Sequence, residues 1–394
     1  MSGDAVDRLA ASLRDRLLAD ADATAAPAER IAALVEREAA LLDAPTRAEL
    51  LRRVTERALG LGPLQPLLED PEVDEVMVSG LRPVWVERAG RLEVTDVAFA
   101  SEAQLRDVIE RVLAPLGRRV DEASPLVDAR LPDGSRVNVV IPPLAVDGPA
   151  LTIRRFRARG LGAGDLVERG TVGRPLLDFL AAAVRARCNL LVCGGTGSGK
   201  TTTLNALSEF IGASERVVTI EDAAELRLRQ PHVVRLEARP PGLDGRGEVT
   251  IRSLVRNALR MRPDRIVVGE VRGPEALDML GALSCGHDGS LSTIHAGSAV
   301  EALRRLETLA LMAGVGLPHA AIREQVADAV HLVVCQSRSS DGGRAVTEVA
   351  EVVRVAGGAG VRTLYALRDG RPTWRAALSE RLGARIAAGS EAAA

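Results

Sequence analysis

Apolar positions along the chain follow three successive patterns. Through residues 1–60 they step at helical spacing: Val6, Leu9, Leu13 and Leu17 in one stretch, and Leu50, Leu51, Val54 and Ala58 in another. Steps of three and four put side chains on one face of an α-helix. Pro27 and Pro45 divide this Ala-, Arg- and Leu-rich region into about three helices, and "GLGPL" at 60–64 stops the last. The plain expectation is a helical extension packing on its own domain, ahead of a dedicated docking device.

From 63 to 158 the pattern alternates. "EVMVSG" and "PVWVERAGRLEVT" read as strands, with Ala89-Gly90 as a hairpin turn. "SEAQLRDVIERVLAPLG" (101–117) reads as an amphipathic helix with a Ser N-cap and Gly near its end. "DARLPDGSRVNVVIPP" is a second hairpin around Pro132-Asp133-Gly134, and "ALTIRRF" is a final strand. This predicts a small α+β domain at 61–157. The Gly-rich "RARGLGAGDL" then reads as an interdomain linker, placed at 158–166.

Beyond 166 short apolar runs alternate with helical stretches. The runs are "CNLLVC", "RVVTI", "HVVRLE", "RIVVGE", "GSLSTIH" and "VHLVV". Such strands imply a mainly parallel sheet covered on both faces, hence an α/β domain over 167–394. "GGRAVTEVAEVVRV" reads as edge strands, and the closing "AAGSEAAA" as frayed.

Composition narrows the class. Apolar content of 46% with 26% charge describes a globular chain. Aromatics are only 2%, so the cores must be Leu, Val, Ile and Ala. A net charge of −2 provides no global case for nucleic acid or an anionic membrane surface. Cys188, Cys193, Cys285 and Cys335 lack metal-ligand spacing and read as small buried apolar residues in a reducing compartment. No secretory leader pattern and no run of 18 apolar residues occurs. The expectation is a cytoplasmic protein that meets a membrane only through partners.

Chemistry enters with "GGTGSGKTTTLNAL". Gly194, Gly195, Thr196, Gly197, Ser198, Gly199, Lys200 and Thr201 fit G-x-x-x-x-G-K-[ST] in full, between an apolar strand and a helix that opens with Thr201 and Thr202. Glycines let successive N–H groups turn toward phosphate oxygens, and the helix N-terminus adds its dipole. Thr201 is placed to hold Mg²⁺. Lys200 is the only lysine in the chain. A compact ammonium serves two phosphates as a point charge, and a planar guanidinium does not replace it.

Other segments add candidates. "RVVTIEDAAEL" ends a strand in Glu221 and Asp222, and "RIVVGEVRG" ends one in Glu270. Carboxylates at strand ends face the ligand crevice of a doubly wound sheet, and a desolvated carboxylate needs a partner. "CGHDGSLSTIHAGSA" sets His287 before a strand and His295 at its end. The structural alternatives are ion pairs for the glutamates and core hydrogen bonds for the histidines. If "PDG" is a three-residue loop, Arg130 and Arg136 face each other, which is unfavourable unless an anion lies between them. Arg154 ends the following strand. A solvated arginine pair is the competing reading.

Together these segments resemble the type II/type IV secretion ATPase superfamily. "GGTGSGKTTTLNAL" matches its phosphate loop, "TIEDAAEL" its Asp box, "RPDRIVVGEVRGPEA" its Walker B strand and "GHDGSLSTIHAGSA" its His box. "GLGPLQPLLEDPEVDEVMVSG", "DARLPDGSRVNVVIPPLAVDGPALTIRRF" and "LRLRQPHVVRLEARPPGLDGRGEVTIRSLVRNALRMRPDR" look closest to the Tad/Flp pilus assembly branch, the TadA/CpaF-type ATPases. The resemblance runs over residues 55–355 and implies a RecA-like ATPase domain after the smaller α+β domain. It implies a homohexameric ring hydrolysing ATP with Mg²⁺ at subunit interfaces, working on polytopic inner-membrane platform proteins, with no direct nucleic acid. It also implies that Glu270 polarises the attacking water and that Glu221, beside Asp222, helps place Mg²⁺. His287 and His295 would sense the γ-phosphate, and Arg130, Arg136 and Arg154 would act as fingers.

The chain departs from the family pattern at Ser79-Gly80, Ser284-Cys285-Gly286 and His295-Ala296-Gly297, and it lacks the cysteine tetrad of many general-secretion and pilus-extension members. The leading expectation is a pilus or secretion motor. The alternative within the superfamily is a conjugation-type ATPase serving DNA or protein export. A small-molecule kinase or GTPase lacks support, since no N-K-x-D motif occurs. A nucleotide-bound scaffold without turnover is the remaining alternative, against which Glu270 and the histidines argue.

Overall fold

The computed structural model describes residues 27–58, 60–88, 90–155, 160–242, 246–339, 342–368 and 370–391, with several positions between 6 and 16. It divides into two compact units, Met1–Arg157 and Ala158–Ala394.

After helical positions between 6 and 16, the first unit contains helices α1 (Pro27–Glu38) and α2 (Ala44–Ala58). Ile31, Val35, Leu50 and Val54 form a small core with Val6, Ala10 and Leu13. Leu17, the fourth step of the first stripe, lies outside the described residues. Pro27 begins α1 and Pro45 sits in the first turn of α2, where a missing N–H is harmless.

The short α3 (Gln65–Glu69) leads into β1 (Val73–Ser79), β2 (Trp85–Arg88) and β3 (Arg91–Val94). Then come α4 (Glu102–Leu113), β4 (Leu126–Arg130), β5 (Arg136–Val140) and β6 (Ala150–Arg154). The six strands pair antiparallel in the order β3-β2-β1-β6-β5-β4. The Ser101 hydroxyl accepts the Gln104 N–H at 3.2 Å and caps α4. That helix buries Leu105, Val108, Ile109 and Val112 against Val76, Val137, Val139, Leu151 and Ile153. Its expected span to 117 ends instead in a 3₁₀ turn at Ala114–Leu116, closed by left-handed Gly117. Ala89 of the expected β2–β3 turn lies outside the described residues.

The second unit contains α5 (Ala163–Glu168), α6 (Arg174–Arg185), β7 (Leu190–Gly194), α7 (Lys200–Ser208), β8 (Val217–Glu221) and β9 (Val233–Glu237). They are followed by α8 (Ile251–Ala258), β10 (Arg265–Val271), α9 (Glu275–Ser284), β11 (Leu291–His295), α10 (Ala299–Leu311) and α11 (His319–Ala329). The unit closes with β12 (Leu332–Arg338), β13 (Arg344–Val355), β14 (Gly358–Arg368), β15 (Arg371–Trp374) and α12 (Glu380–Glu391). Its strand order is β15-β14-β13-β12-β7-β11-β10-β8-β9. From β12 to β9 neighbours are parallel, and β13, β14 and β15 add antiparallel. Two apolar layers cover the faces. One holds Val255, Met279, Leu280, Leu303, Leu306, Ile322 and Val326, the other Leu166, Leu176, Leu180, Leu204, Leu207 and Leu382. This is an α/β sheet buried on both sides, as the apolar runs require.

Four expectations are corrected. The stretch read as linker turns helical at Ala163, because the Asp165 carboxylate accepts the Gly162 N–H at 2.7 Å and Leu166 is buried. The strand read as an edge, β13, lies inside the sheet and is covered by β14 and β15. Of the tail read as frayed, residues 387–391 continue α12, whose earlier part is held by buried Leu382 and by Arg385 bonding the Arg187 carbonyl at 2.9 Å. Residues 392–394 lie outside the described set. Of the cysteines, Cys285 is exposed while the other three are buried.

Candidate functional site

Strand β7 is buried at every position and delivers Gly194 to the carboxyl edge of the sheet. Parallel sheets place ligand crevices at this edge. A Cβ on Gly194 would lie 2.4 Å from the Gln336 carbonyl oxygen and 2.4 Å from Ser198 Oγ, so only glycine fits. Gly199 adopts φ +93° and hands the chain to α7, which begins at Lys200. The first-turn N–H groups of α7 therefore face the loop, an anion-binding arrangement.

Lys200 folds back over that loop. Its Nζ donates to the carbonyls of Gly194 and Gly195, both at 3.1 Å, and stands 3.8 Å from Glu270 Oε1. Burial lowers its pKa, and the Glu270 charge opposes the shift. Glu270 is gripped from the other side. Arg272 donates Nε and Nη2 to its Oε2, the first at 2.7 Å. Carboxylate, ammonium and guanidinium thus form one chain at the mouth of the loop.

Glu221 ends β8, which pairs with β10. Its Oε1 accepts the N–H groups of Glu225 at 2.9 Å and Leu226 at 3.0 Å. Its Oε2 is buried without a hydrogen-bond partner, and the residue is 3% exposed. Burial pushes the carboxyl up to about 7, against those backbone bonds. An orphaned buried carboxylate oxygen suits a proton or a cation. Among the described residues no group of three His, Cys, Asp or Glu side chains could hold a metal alone. A hydroxyl such as Thr201, one carboxylate and nucleotide phosphates are the donor set Mg²⁺ takes, so these residues fit a nucleotide-borne ion.

The two histidines part company. His295 pairs in register with Gly194 across β11 and β7, and it is exposed. His287 precedes β11, so it lies at the opposite end of the parallel strands from the loop. Five residues at about 3.3 Å each separate the two ends. Its Nδ1 already meets the Ala282 carbonyl at 3.3 Å. Within one chain the loop therefore meets His295, while His287 stands at the other end of β11.

In the first unit the three arginines form a row. Arg130 pairs with Arg136 across β4–β5, and Arg136 with Arg154 across β5–β6. Their neighbours Val137 and Ile153 point into the core, so the arginines share the outer face. Arg154 also faces Glu75 on β1. Burial raises the Glu75 pKa and the charge of Arg154 counters it.

Comparison with known proteins meets this geometry. The family described as type II/IV secretion system protein matches residues 57–352. The chain belongs to that family. A putative conjugal transfer protein of Mycobacterium tuberculosis is 39% identical over 344 residues, covering 86% of this chain and 97% of the relative. The conjugal transfer protein TrbB of Rhizobium radiobacter is 35% identical over 294 residues, covering 74% and 86%. The X-ray structure of the Yersinia pseudotuberculosis ATPase DotB aligns with a TM-score of 0.54 at 16% identity, covering 73% of this chain and 77% of that one. That likeness concerns the fold.

Within this secretion-family chain some site residues escaped sequence reasoning. Arg272 stands two positions past Glu270 and was not singled out. Gln336 and Arg338 end β12, and Arg344 begins β13. The Thr203 hydroxyl donates to Gln336 Oε1 at 2.6 Å, and Arg344 Nε donates to the Gly197 carbonyl at 2.9 Å. The signal was available, since "QSR" ends an apolar strand just as Glu221 and Glu270 do.

Proposed function

We propose that this chain is an ATP-hydrolysing motor of a type II/type IV secretion machine. The observation that carries the reading is the chain of contacts from the Gly194–Thr201 loop through Lys200 to Glu270 at the carboxyl edge of the sheet. In this reading Gly194 through Thr202 cradle the phosphates, and Lys200 exchanges its two carbonyl partners for phosphate oxygens. Thr201 and Glu221 would hold Mg²⁺, which would neutralise phosphate charge when bound. Glu270 parts from Arg272 and takes the proton of the attacking water. His295, level with Gly194, responds to the terminal phosphate. His287 acts on its own edge of the sheet rather than on the phosphates of its own loop. Arg130, Arg136 and Arg154 approach a nucleotide as fingers within a homohexameric ring of RecA-like units.

The motor works against a polytopic inner-membrane platform from the cytoplasmic side. Among the described residues no helix is long and apolar enough to cross a membrane. The sequence segments suggested a Tad/Flp-type pilus. The conjugal transfer relatives of M. tuberculosis and R. radiobacter favour a conjugation-type machine. Deleting the gene and scoring surface fibres against DNA transfer separates them. Lost fibres with transfer intact support the pilus motor, and the reverse supports conjugation. Absence of ATP turnover by the assembled protein would remove the motor altogether.

A further inference from the structure

The hairpin strands β12 and β13 reach the phosphate loop from behind, outside the segments that define its motif. Gln336 stands in register with Gly194 on the neighbouring strand. Its side chain accepts from Thr203, one turn into α7. Arg338 Nη1 lies 3.2 Å from where a Gly197 Cβ would sit. Arg344 donates its Nε–H to the Gly197 carbonyl at 2.9 Å.

That last bond has a directional consequence. The peptide between Gly197 and Ser198 is trans. In a trans peptide the C=O and the next N–H point in opposite directions. Fixing the Gly197 oxygen on Arg344 therefore turns the Ser198 N–H away from the hairpin, toward the interior of the loop. There it rests on the Gly195 carbonyl at a long 3.4 Å, alongside Lys200 Nζ on the same oxygen. A weakly engaged donor beside an ammonium is ready for a phosphate oxygen. Gly197 holds positive φ, a conformation glycine adopts without strain, and the bond to Arg344 fixes which way its carbonyl faces.

We propose that Arg344 is a positioning residue for the phosphate loop, locking the Gly197–Ser198 peptide with its N–H inward before nucleotide arrives, with Gln336 bracing the first turn of α7. This rests on the ATP reading above. The ligand is the polyphosphate of a nucleoside di- or triphosphate. Preorganisation of this kind strengthens binding of ground and transition states alike.

The test uses the full-length protein and two readouts. Arg344→Ala should weaken binding of a fluorescent ADP analogue by about 10- to 100-fold, as expected for losing a charge-assisted hydrogen bond. The KM for ATP should rise in step while kcat changes little. Arg344→Lys, which keeps a cationic donor, should recover much of the affinity. Arg354→Ala on the same strand, paired with Asp328 far from the loop, controls for general weakening of β13. Unchanged ADP affinity in Arg344→Ala overturns the proposal. So does a fall in kcat at constant KM, or an equal loss in Arg354→Ala. The ADP arm reads the loop even if the wild type fails to turn over ATP, so the two readings can fail separately.

Discussion

Glu270 and Arg272, two positions apart at the end of β10, are tied by two hydrogen bonds to a single carboxylate oxygen. The other oxygen faces Lys200 at 3.8 Å. The proposed base is thus held between two cations. Glu270→Gln keeps the size and removes the charge. ATP turnover should fall by about 10²-fold or more, the usual contribution of general base catalysis, with ADP affinity retained. Steady-state hydrolysis beside equilibrium ADP binding checks this, and near-normal turnover would move the base elsewhere.

The lone lysine offers a second prediction. Lys200→Arg should leave the thermal midpoint nearly unchanged but lower ATP turnover on the order of 10²-fold. The two carbonyls at 3.1 Å fit a compact ammonium. A guanidinium in that place is larger and directional. Wild-type hydrolysis in this variant would remove the explanation for why one lysine persists.

Glu221 makes stability depend on pH. Its carboxyl is raised from 4.5 to about 7, chiefly by burial. The folded protein therefore keeps a proton that the unfolded chain releases between those values. Stability falls as pH rises through that window, by at most about 3 kcal/mol. Glu221→Gln mimics the protonated group. Without nucleotide, its melting temperature should match the wild type near pH 4.5 and exceed it at pH 8. Parallel pH profiles for the two proteins would show that the carboxyl titrates normally.

The arginine row predicts a division of labour. Arg136 lies between Arg130 and Arg154 in register, and Arg154 faces Glu75 on β1. Arg130→Ala and Arg136→Ala should each reduce turnover in assembled rings by at least about 10²-fold if they serve as fingers. Arg154→Ala should do less, and should also raise the Glu75 pKa by removing the opposing charge. Sedimentation must show intact assemblies in each case. Unchanged turnover in both Arg130→Ala and Arg136→Ala would return them to a surface role.

The phosphate loop, the strands around it and the pairing of Arg130 with Arg136 were legible because each depends on local spacing. A G-x-x-x-x-G-K-[ST] loop between an apolar run and a helix, or a three-residue hairpin turn, is specified by neighbours in the chain. The helical end of the linker and α12 were not legible. Their burial depends on distant partners: Leu166 and Leu382 both join the apolar layer that also holds Leu176 and Leu204.

By itself, then, the sequence determined the α/β class, the phosphate loop and which strand ends carry carboxylates, since periodicity and turn chemistry act over a few residues. Only the tertiary structure decided which groups meet. Register along straight parallel strands set His295 beside Gly194 and left His287 at the far end. Pairing of β12 with β7 and β13 brought Arg344 to Gly197 across 147 positions of chain. No local pattern encodes that contact, because it exists only once the apolar faces of the sheet have been covered.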